Sequence, residues 1–541
     1  MTGSGTSKKG ANTETSQQAV VRFLSDANSF VPSTGFRLQD SAPISDPISV
    51  ISTHSAHIFL VGNEVFKIKR SVRYSYLDMT SLQTRHSLCC RELELNRSTL
   101  PNIYLAVIPI TQEVDGSFQI NGNGCVVEWA LHMNRFSENA VLDNMARKGE
   151  LTNIVAERLG RAVALYHASL ESATVLDGYA RIHEVVEELI VELGQHTALF
   201  TPRLLNSFER RGRNELESCR VLLDDRARQG YVKRCHGDLH LRNLVLIDDI
   251  PVPFDALEFD ERMATTDVLY DLAFGLMDLD HRSLLQQSNR TLNQYLLHSD
   301  IQTIRGMRLL PLFMFCRAGI RAMTTAQAAS LSTDSYDMFE DEARSYLALA
   351  LQYMVRRQPV LVAVGGLSGS GKSTLAASLA HRIGRPTGAL LLRSDAERKV
   401  SQGVDEAVPL PVGHYTAHAS HHNYQLLLKK AELALEAGNS VIIDAVFLDQ
   451  KYRLAMENLA IQQNVAFQGL WLEAPVDVLE HRISLRSNDA SDATVDVLKM
   501  QLQVDRGQMD WQTVDARGTL AQVLDQVNLG EPGCQGEVAT E

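Results

Sequence analysis

Nine residues, Gly366-Leu-Ser-Gly-Ser-Gly-Lys-Ser-Thr374, restrict what the second half of this 541-residue chain folds into more than any other stretch. They fit GxxxxGK[ST], between an apolar run, Val360-Leu-Val-Ala-Val364, and a helical pattern from Leu375 to Ile383. In that setting the glycines let successive backbone N–H groups point inward, and the start of the next helix adds positive potential. Strand, loop and helix together make a phosphate cradle, where a bare Gly/Ser turn would need neither flank. Lys372 is expected to reach the β- and γ-phosphates of a nucleotide, and the Ser373 hydroxyl to ligate Mg²⁺. Gly366, Ser368, Gly369, Ser370, Gly371 and Thr374 complete the expected nucleotide-binding set.

Around this loop the pattern alternates. Strands are expected at 360–364, 388–392, 440–445 and 466–472, with helices between them. Tyr424, Leu427, Leu428, Ala431, Ala434 and Leu435 form one apolar stripe, and Gly438-Asn439 stops that helix. Such βα alternation implies a parallel sheet covered on both faces. The sheet's carboxyl edge, where open α/β sheets bind ligands, receives Asp395 and Arg398 from the turn RSDAER. A kinase needs a carboxylate to take the acceptor's proton and an Arg to orient it; a helix cap at Asp395 is the competing explanation. Asp444 ends the third strand as a Mg²⁺-shell acid or a substrate contact. Arg482 and Arg486 lie in a stretch with the character of a lid, where they would balance charge on the transferring phosphoryl group; a solvated helix face explains their spacing equally.

The segment from Pro359 to about Gln526 resembles small P-loop kinases of the gluconate kinase, polynucleotide kinase and zeta-toxin type. The likeness rests on GLSGSGKST, RSDAER, the strand VIIDAVF and the Arg-bearing lid. It implies that Asp395 handles the substrate hydroxyl, and it names no substrate.

A second constellation stands in the front part. Cys235-His-Gly-Asp-Leu-His-Leu-Arg-Asn243 matches HxDxxxxN, and a strand pattern, Leu244-Val-Leu-Ile247, leads on to Asp255. Phosphoryl transfer needs such a set: Asp238 to take the proton from an incoming hydroxyl, Asn243 and Asp255 to hold Mg²⁺ against phosphates. The region 45–350 resembles aminoglycoside phosphotransferase-like kinases, a branch of the protein-kinase-like fold that includes choline kinase. The hairpin His57–Lys69 offers Lys67 and Lys69 on one face, and the next helix offers Glu92 and Glu94. The resemblance implies one lysine for phosphate and one glutamate as its partner, with Lys67 and Glu92 preferred. It also implies that Asp271, in LYDLA, supports the catalytic loop. No GxGxxG precedes the lysine strand; Ile51-Ser-Thr-His-Ser-Ala-His57 stands there instead. His167 reads as structural.

Taken in order, THSAHIFLVGNEVFKIK, CHGDLHLRNLVLID, LYDLAFGLMDLDHR, GLSGSGKST, RSDAERK and DASDAT resemble a bacterial family that fuses an aminoglycoside phosphotransferase-like domain to a P-loop kinase domain. The implied architecture is an α+β bilobal protein-kinase-like domain followed by an α/β P-loop NTPase domain with a parallel sheet. Its expected boundaries are a tail at 1–18, domains at 45–350 and 359–527, a linker at 351–358 ended by Pro359, and a tail at 528–541.

Bulk properties exclude some partners. The net charge is −13, and neither side of Pro359 is basic: 37 Lys and Arg against 43 Asp and Glu before it, 15 against 22 from it onward. That argues against general nucleic-acid binding and against a hold on acidic lipid. Seven cysteines without a CxxC fit a reduced cytoplasmic protein. No apolar run approaches the roughly 20 residues needed to span a membrane. His414, His418, His421 and His422 share helical spacing, but no Cys or carboxylate completes a metal set. The expected protein is a bifunctional ATP·Mg²⁺-dependent phosphotransferase acting on small hydroxylated molecules. Two alternatives stay open: one site is catalytic and the other senses nucleotide, or the chain is a nucleotide-switched, toxin-like interaction module.

Overall fold

The computed structural model describes residues 17–30, 47–74, 77–174, 177–331, 336–406, 408–411, 416–485 and 491–527. The chain forms two compact units, one from Met1–Glu150 with His236–Thr265, the other from Leu151–Cys235 with Thr266–Glu541.

The first unit is built on a six-stranded antiparallel sheet. Its strands are β1 (Ser49–Ser52), β2 (Ala56–Val61), β3 (Glu64–Lys69), β4 (Tyr104–Gln112), β5 (Phe118–Ile120) and β6 (Cys125–Asn134), in the order β1-β2-β3-β6-β4-β5. Gly62, at φ +55°, makes the tight turn between β2 and β3. One sheet face buries Phe59, Phe66, Ile68 and Ile110 against Val20 and Leu24 of a helix over 17–24. Gln17, assigned to the tail from sequence, opens that helix; its side chain donates to Lys69 O at 2.8 Å and to Glu128 Oε2 at 2.7 Å. The other face packs Val65, Tyr104, Leu131 and Met133 on Val245. Helix α1 (Leu82–Arg97) starts where the Ser81 hydroxyl accepts from Thr84 N. A hairpin of β7 (Leu244–Ile247) and β8 (Ile250–Pro253) completes the unit, turning through Asp248 and Asp249, both at positive φ.

In the second unit, helices α2 (Asn153–Ser169), α3 (Val268–His281) and α4 (Leu285–Leu297) bury apolar residues such as Leu159, Val163, Leu272 and Leu292, with His167 and Asp271 among them. Gly160 lets α2 close on α4, because a Cβ there would stand 2.1 Å from Thr291 O. A five-stranded parallel sheet follows: β9 (Val360–Gly366), β10 (Leu390–Arg393), β11 (Val441–Asp444), β12 (Ala466–Glu473) and β13 (Gln512–Asp515), in the order β10-β11-β9-β12-β13. Four strands fall where apolar runs placed them. The sequence Gln-Thr-Val-Asp of β13 carries no such run, and pairing with β12 makes it a strand. Val362, Val364, Ile442, Leu470 and Leu472 bury the sheet against Leu375 and Leu379 of α5 (Lys372–Ala380). No helix among the described residues is long and apolar enough to cross a membrane.

One buried acid gives the fold a pH dependence. Burial lifts the Asp280 carboxyl from 3.8 to about 7, against hydrogen bonds from Ser288 and Tyr353. Between those values the folded chain holds a proton that the unfolded chain has released, so stability falls as pH rises through that window. Asp280→Asn is expected to raise the thermal midpoint at pH 8 by roughly 2–4 °C and to leave it unchanged near pH 4. Parallel pH profiles for the two proteins would reject this account.

Candidate functional site

Alternate strand residues share a face, so Lys67 and Lys69 both leave β3 toward α1. There they meet one carboxylate. Glu92, with no solvent exposure, accepts from Lys67 Nζ at 2.8 Å and from Lys69 Nζ at 2.5 Å. Lys67 also reaches Asp255 Oδ1 at 2.6 Å, and Lys69 reaches Glu258 Oε1 at 2.5 Å. Charge thus alternates from Glu258 through Lys69, Glu92 and Lys67 to Asp255. Burial would lower the pKa of Lys67, but Asp255 and Glu92 hold it well above the usual value. Burial would raise Asp255, but Lys67 and Lys69 bring it down to about 2. Both groups are therefore charged at neutral pH. Glu94 instead pairs with Arg91 at the surface, at 2.7 Å.

The residues of the His-Gly-Asp loop gather beside this chain of charges. Asn243 Nδ2 donates to Asp238 Oδ2 at 2.9 Å and to Asp238 O at 3.0 Å. The β7–β8 register pairs Leu244 with Pro253, and Phe254 N donates to Asn243 O at 3.0 Å. That register brings Asp255 back beside Asn243. Asp255 sits at φ +60°, a left-handed conformation that non-glycine residues adopt at a cost. Its N–H donates to the Tyr104 hydroxyl at 3.1 Å, and Asn96 Oδ1 accepts from Ala256 N at 3.1 Å. Tyr104, Asn96 and Glu258 were not foreseen, because each is defined by a tertiary contact with no local motif around it.

In the second unit the phosphate loop follows the central strand β9. Gly369 is at φ +85°, and a Cβ there would lie 2.6 Å from Leu479 O; Gly371, at φ +90°, caps α5. Parallel registers align Val364, Asp444 and Arg393 at the carboxyl end of the sheet. Asp444 is buried and hydrogen-bonded to the Ser373 side chain; burial raises its pKa against the pull of Lys372 and Arg393. Lys372 Nζ donates to Leu367 O at 3.1 Å. A cavity of about 920 Å³ is lined by residues 368–375 together with Arg393, Asp395, Arg398, Asp444 and Arg482.

Helix α6 (Ser394–Ser401) carries Asp395 in its first turn, beyond the cap position at Arg393. Two buried ion pairs anchor α6: Glu397 with Lys430 at 2.6 Å, and Lys399 with Asp492 at 2.7 Å. Arg482 stands on a helix, Val476–Ser484, and donates to Ala516 O at 2.8 Å. Arg486 and His414 lie outside the described residues. His418, His421 and His422 are exposed on α7 (Ala417–Glu436). Among the described residues, the metal-capable triple is His167, Cys235 and Asp271, all buried. His167 spends its two ring nitrogens on the Tyr295 hydroxyl at 3.0 Å and Asp271 Oδ2 at 3.1 Å.

The donor chemistry fits a hard cation in both places. Asn243 and Asp255 in one unit, and Ser373 and Asp444 in the other, present oxygen ligands without thiolate or imidazole, as Mg²⁺ prefers.

Residues 361–506 match a family model described as an AAA domain. An uncharacterized protein of Mycobacterium tuberculosis is 26% identical over 483 residues, covering 88% of this chain and 93% of its own. A gluconokinase structure from Sinorhizobium meliloti aligns at 22% identity over 32% of this chain and 90% of its own, with a TM-score of 0.23. A Plasmodium vivax ethanolamine kinase aligns at 10% identity over 65% of this chain and 95% of its own, with a TM-score of 0.38. By loop conformation, strand order and family match, residues 361–506 are a P-loop domain.

Removing the shared carboxylate should show what it holds. Glu92→Ala leaves two buried ammonium groups short of a partner, and is expected to cost about 3–5 kcal/mol of stability. Urea denaturation of the full chain, compared with exposed Glu94→Ala, measures it; equal effects of the two substitutions would contradict the arrangement.

Proposed function

We propose that this protein is an ATP-dependent kinase with two separate ATP·Mg²⁺ sites, each transferring a phosphoryl group to a small hydroxylated acceptor. One observation carries the reading: each unit independently assembles a lysine, an oxygen-donor pair suited to Mg²⁺ and a further carboxylate. In the front site Lys67 holds nucleotide phosphate with Glu92 as its anchor, Asn243 and Asp255 hold the metal, and Asp238 takes the acceptor's proton. The Asn243 amide bond to Asp238 fixes the carboxylate for that task. In the back site the loop N–H groups of residues 366–374 and Lys372 hold the phosphates, and Ser373 and Asp444 hold the metal. Asp395 receives the proton there, Arg398 orients the acceptor, and Arg482 and Arg486 offset charge on the moving phosphoryl group. When bound, Mg²⁺ neutralises phosphate charge and lowers the cost of building it up in the transition state.

On this reading the kinase-like domain spans 45–350 and the P-loop kinase domain 359–527, the protein is cytoplasmic, and both acceptors are small molecules. Because one chain carries both sites, a product of one meets the other at raised local concentration, which favours successive phosphorylation of one molecule.

Titration with a labelled ATP analogue is expected to give two equivalents, falling to one in Lys372→Ala and to one in Asp255→Ala. In a metabolite mixture with ATP, read by phosphate mass shift, Asp238→Ala should remove one product and Asp395→Asn another, each by about 10²-fold or more. A stoichiometry of zero, or product profiles identical in wild type and variants, would overturn the proposal.

A further inference from the structure

Strand β10 is the outer strand of the parallel sheet, next to β11 alone. An outer strand leaves every second N–H and C=O without a ladder partner. Here Leu390 N donates inward to Ser440 O at 2.9 Å, so the outward-facing groups are those of Ala389 O and Leu391 N. Both are taken by a single side chain from outside the P-loop domain. Asn293, on α4, accepts from Leu391 N at 2.6 Å and donates to Ala389 O at 3.2 Å. Its primary amide presents the same C=O and N–H pair that a neighbouring strand would present through a peptide group. One turn earlier, buried Asn289 donates to Thr387 O at 2.7 Å and to Ala389 O at 3.0 Å. Two amides at i and i+4 share one helix face, and that face is spent on one edge.

Helix α4 is itself fixed from its other sides. Thr291 Oγ1 donates to Ala156 O at 3.0 Å, and the Tyr295 hydroxyl bonds His167. β10 ends in Arg393, and the chain runs straight on into the helix that carries Asp395 and Arg398; all three residues line the cavity. The nucleotide cradle, by contrast, follows β9, two strands inward.

The geometry points to Asn293 and Asn289 as positioning residues of the back site: a helix of the kinase-like region completes the edge of the P-loop sheet and sets the acceptor-side residues Asp395 and Arg398 relative to the nucleotide. This rests on the role proposed above for Asp395. It makes residues 359–527 dependent on 285–297 for catalysis, and it gives the front half of the chain a task in the back half's reaction that needs no turnover of its own.

The test uses the full chain in an Asp238→Ala background, so that ATP turnover with water as acceptor reports the back site. Asp395→Asn, Asn293→Leu and Asn289→Ala are compared with that parent. Both Asn variants are expected to lower kcat about tenfold or more with the KM for ATP within about twofold, since the cradle hangs on β9. Amide exchange should rise at 389–393 and stay unchanged at 360–366. A folding defect would instead move kcat, KM and exchange across the whole sheet together, and that pattern in both Asn variants would overturn the inference. Loss of kcat in Asp395→Asn with none in either Asn variant would also overturn it, leaving the role of Asp395 standing. Undiminished turnover in Asp395→Asn would sink the proposed role of that carboxylate itself.

Discussion

Glu92 has no access to water and faces two ammonium groups, and the front site is arranged around that fact. A buried carboxylate is tolerable only when paired, and a buried lysine likewise. Loss of either lysine would leave the buried glutamate with a single ammonium partner. Glu258 and Asp255 extend the alternation at both ends, so the position of Asp255 is coupled to a helix and a strand far from it in sequence. Lys67 and Asp255 neutralise each other at 2.6 Å. On the proposed reading, nucleotide phosphate and a cation would each relieve one partner of that pair, exchanging an internal ion pair for a pair of ligands.

The back site solves the same electrostatic problem with different parts. Its positive potential comes from loop N–H groups and a helix start as well as from Lys372, and its buried acid, Asp444, is supported by a hydroxyl from the loop itself. Strand register does the placing: Val364, Asp444 and Arg393 align because three parallel strands share one phase. Helix α6, with Asp395 and Arg398, is held by separate means, through the Glu397–Lys430 and Lys399–Asp492 pairs and through the amides of α4 on the sheet edge. The phosphate loop and the helix bearing Asp395 are thereby anchored to different parts of the unit.

Much of this was legible in the linear order of residues. The phosphate loop, the strand–loop–helix around it and the HGD loop with its later Asp are local patterns, dictated by backbone geometry and by the few residue types that can do the chemistry. Lys67 and Lys69 were equivalent by strand periodicity, as were Glu92 and Glu94 by proximity. Packing separated the glutamates, since the helix buries one and turns the other to Arg91, but it left both lysines on the same carboxylate. Arg482 and Asp395, ambiguous as surface or cap residues, line the cavity because of where their helices begin.

By itself the sequence determined that this chain holds a phosphate cradle and a carboxylate–amide–carboxylate set, and which halves carry them, because those depend on spacings of a few residues. Only the tertiary structure decided that Glu258, Tyr104 and Asn96 brace the front site, that Gln-Thr-Val-Asp is a strand, and that Asn289 and Asn293 finish a sheet nearly a hundred residues away. Hydrogen-bond partners at such distances are chosen by packing, and an amide in a helix carries no local mark of the strand whose edge it closes.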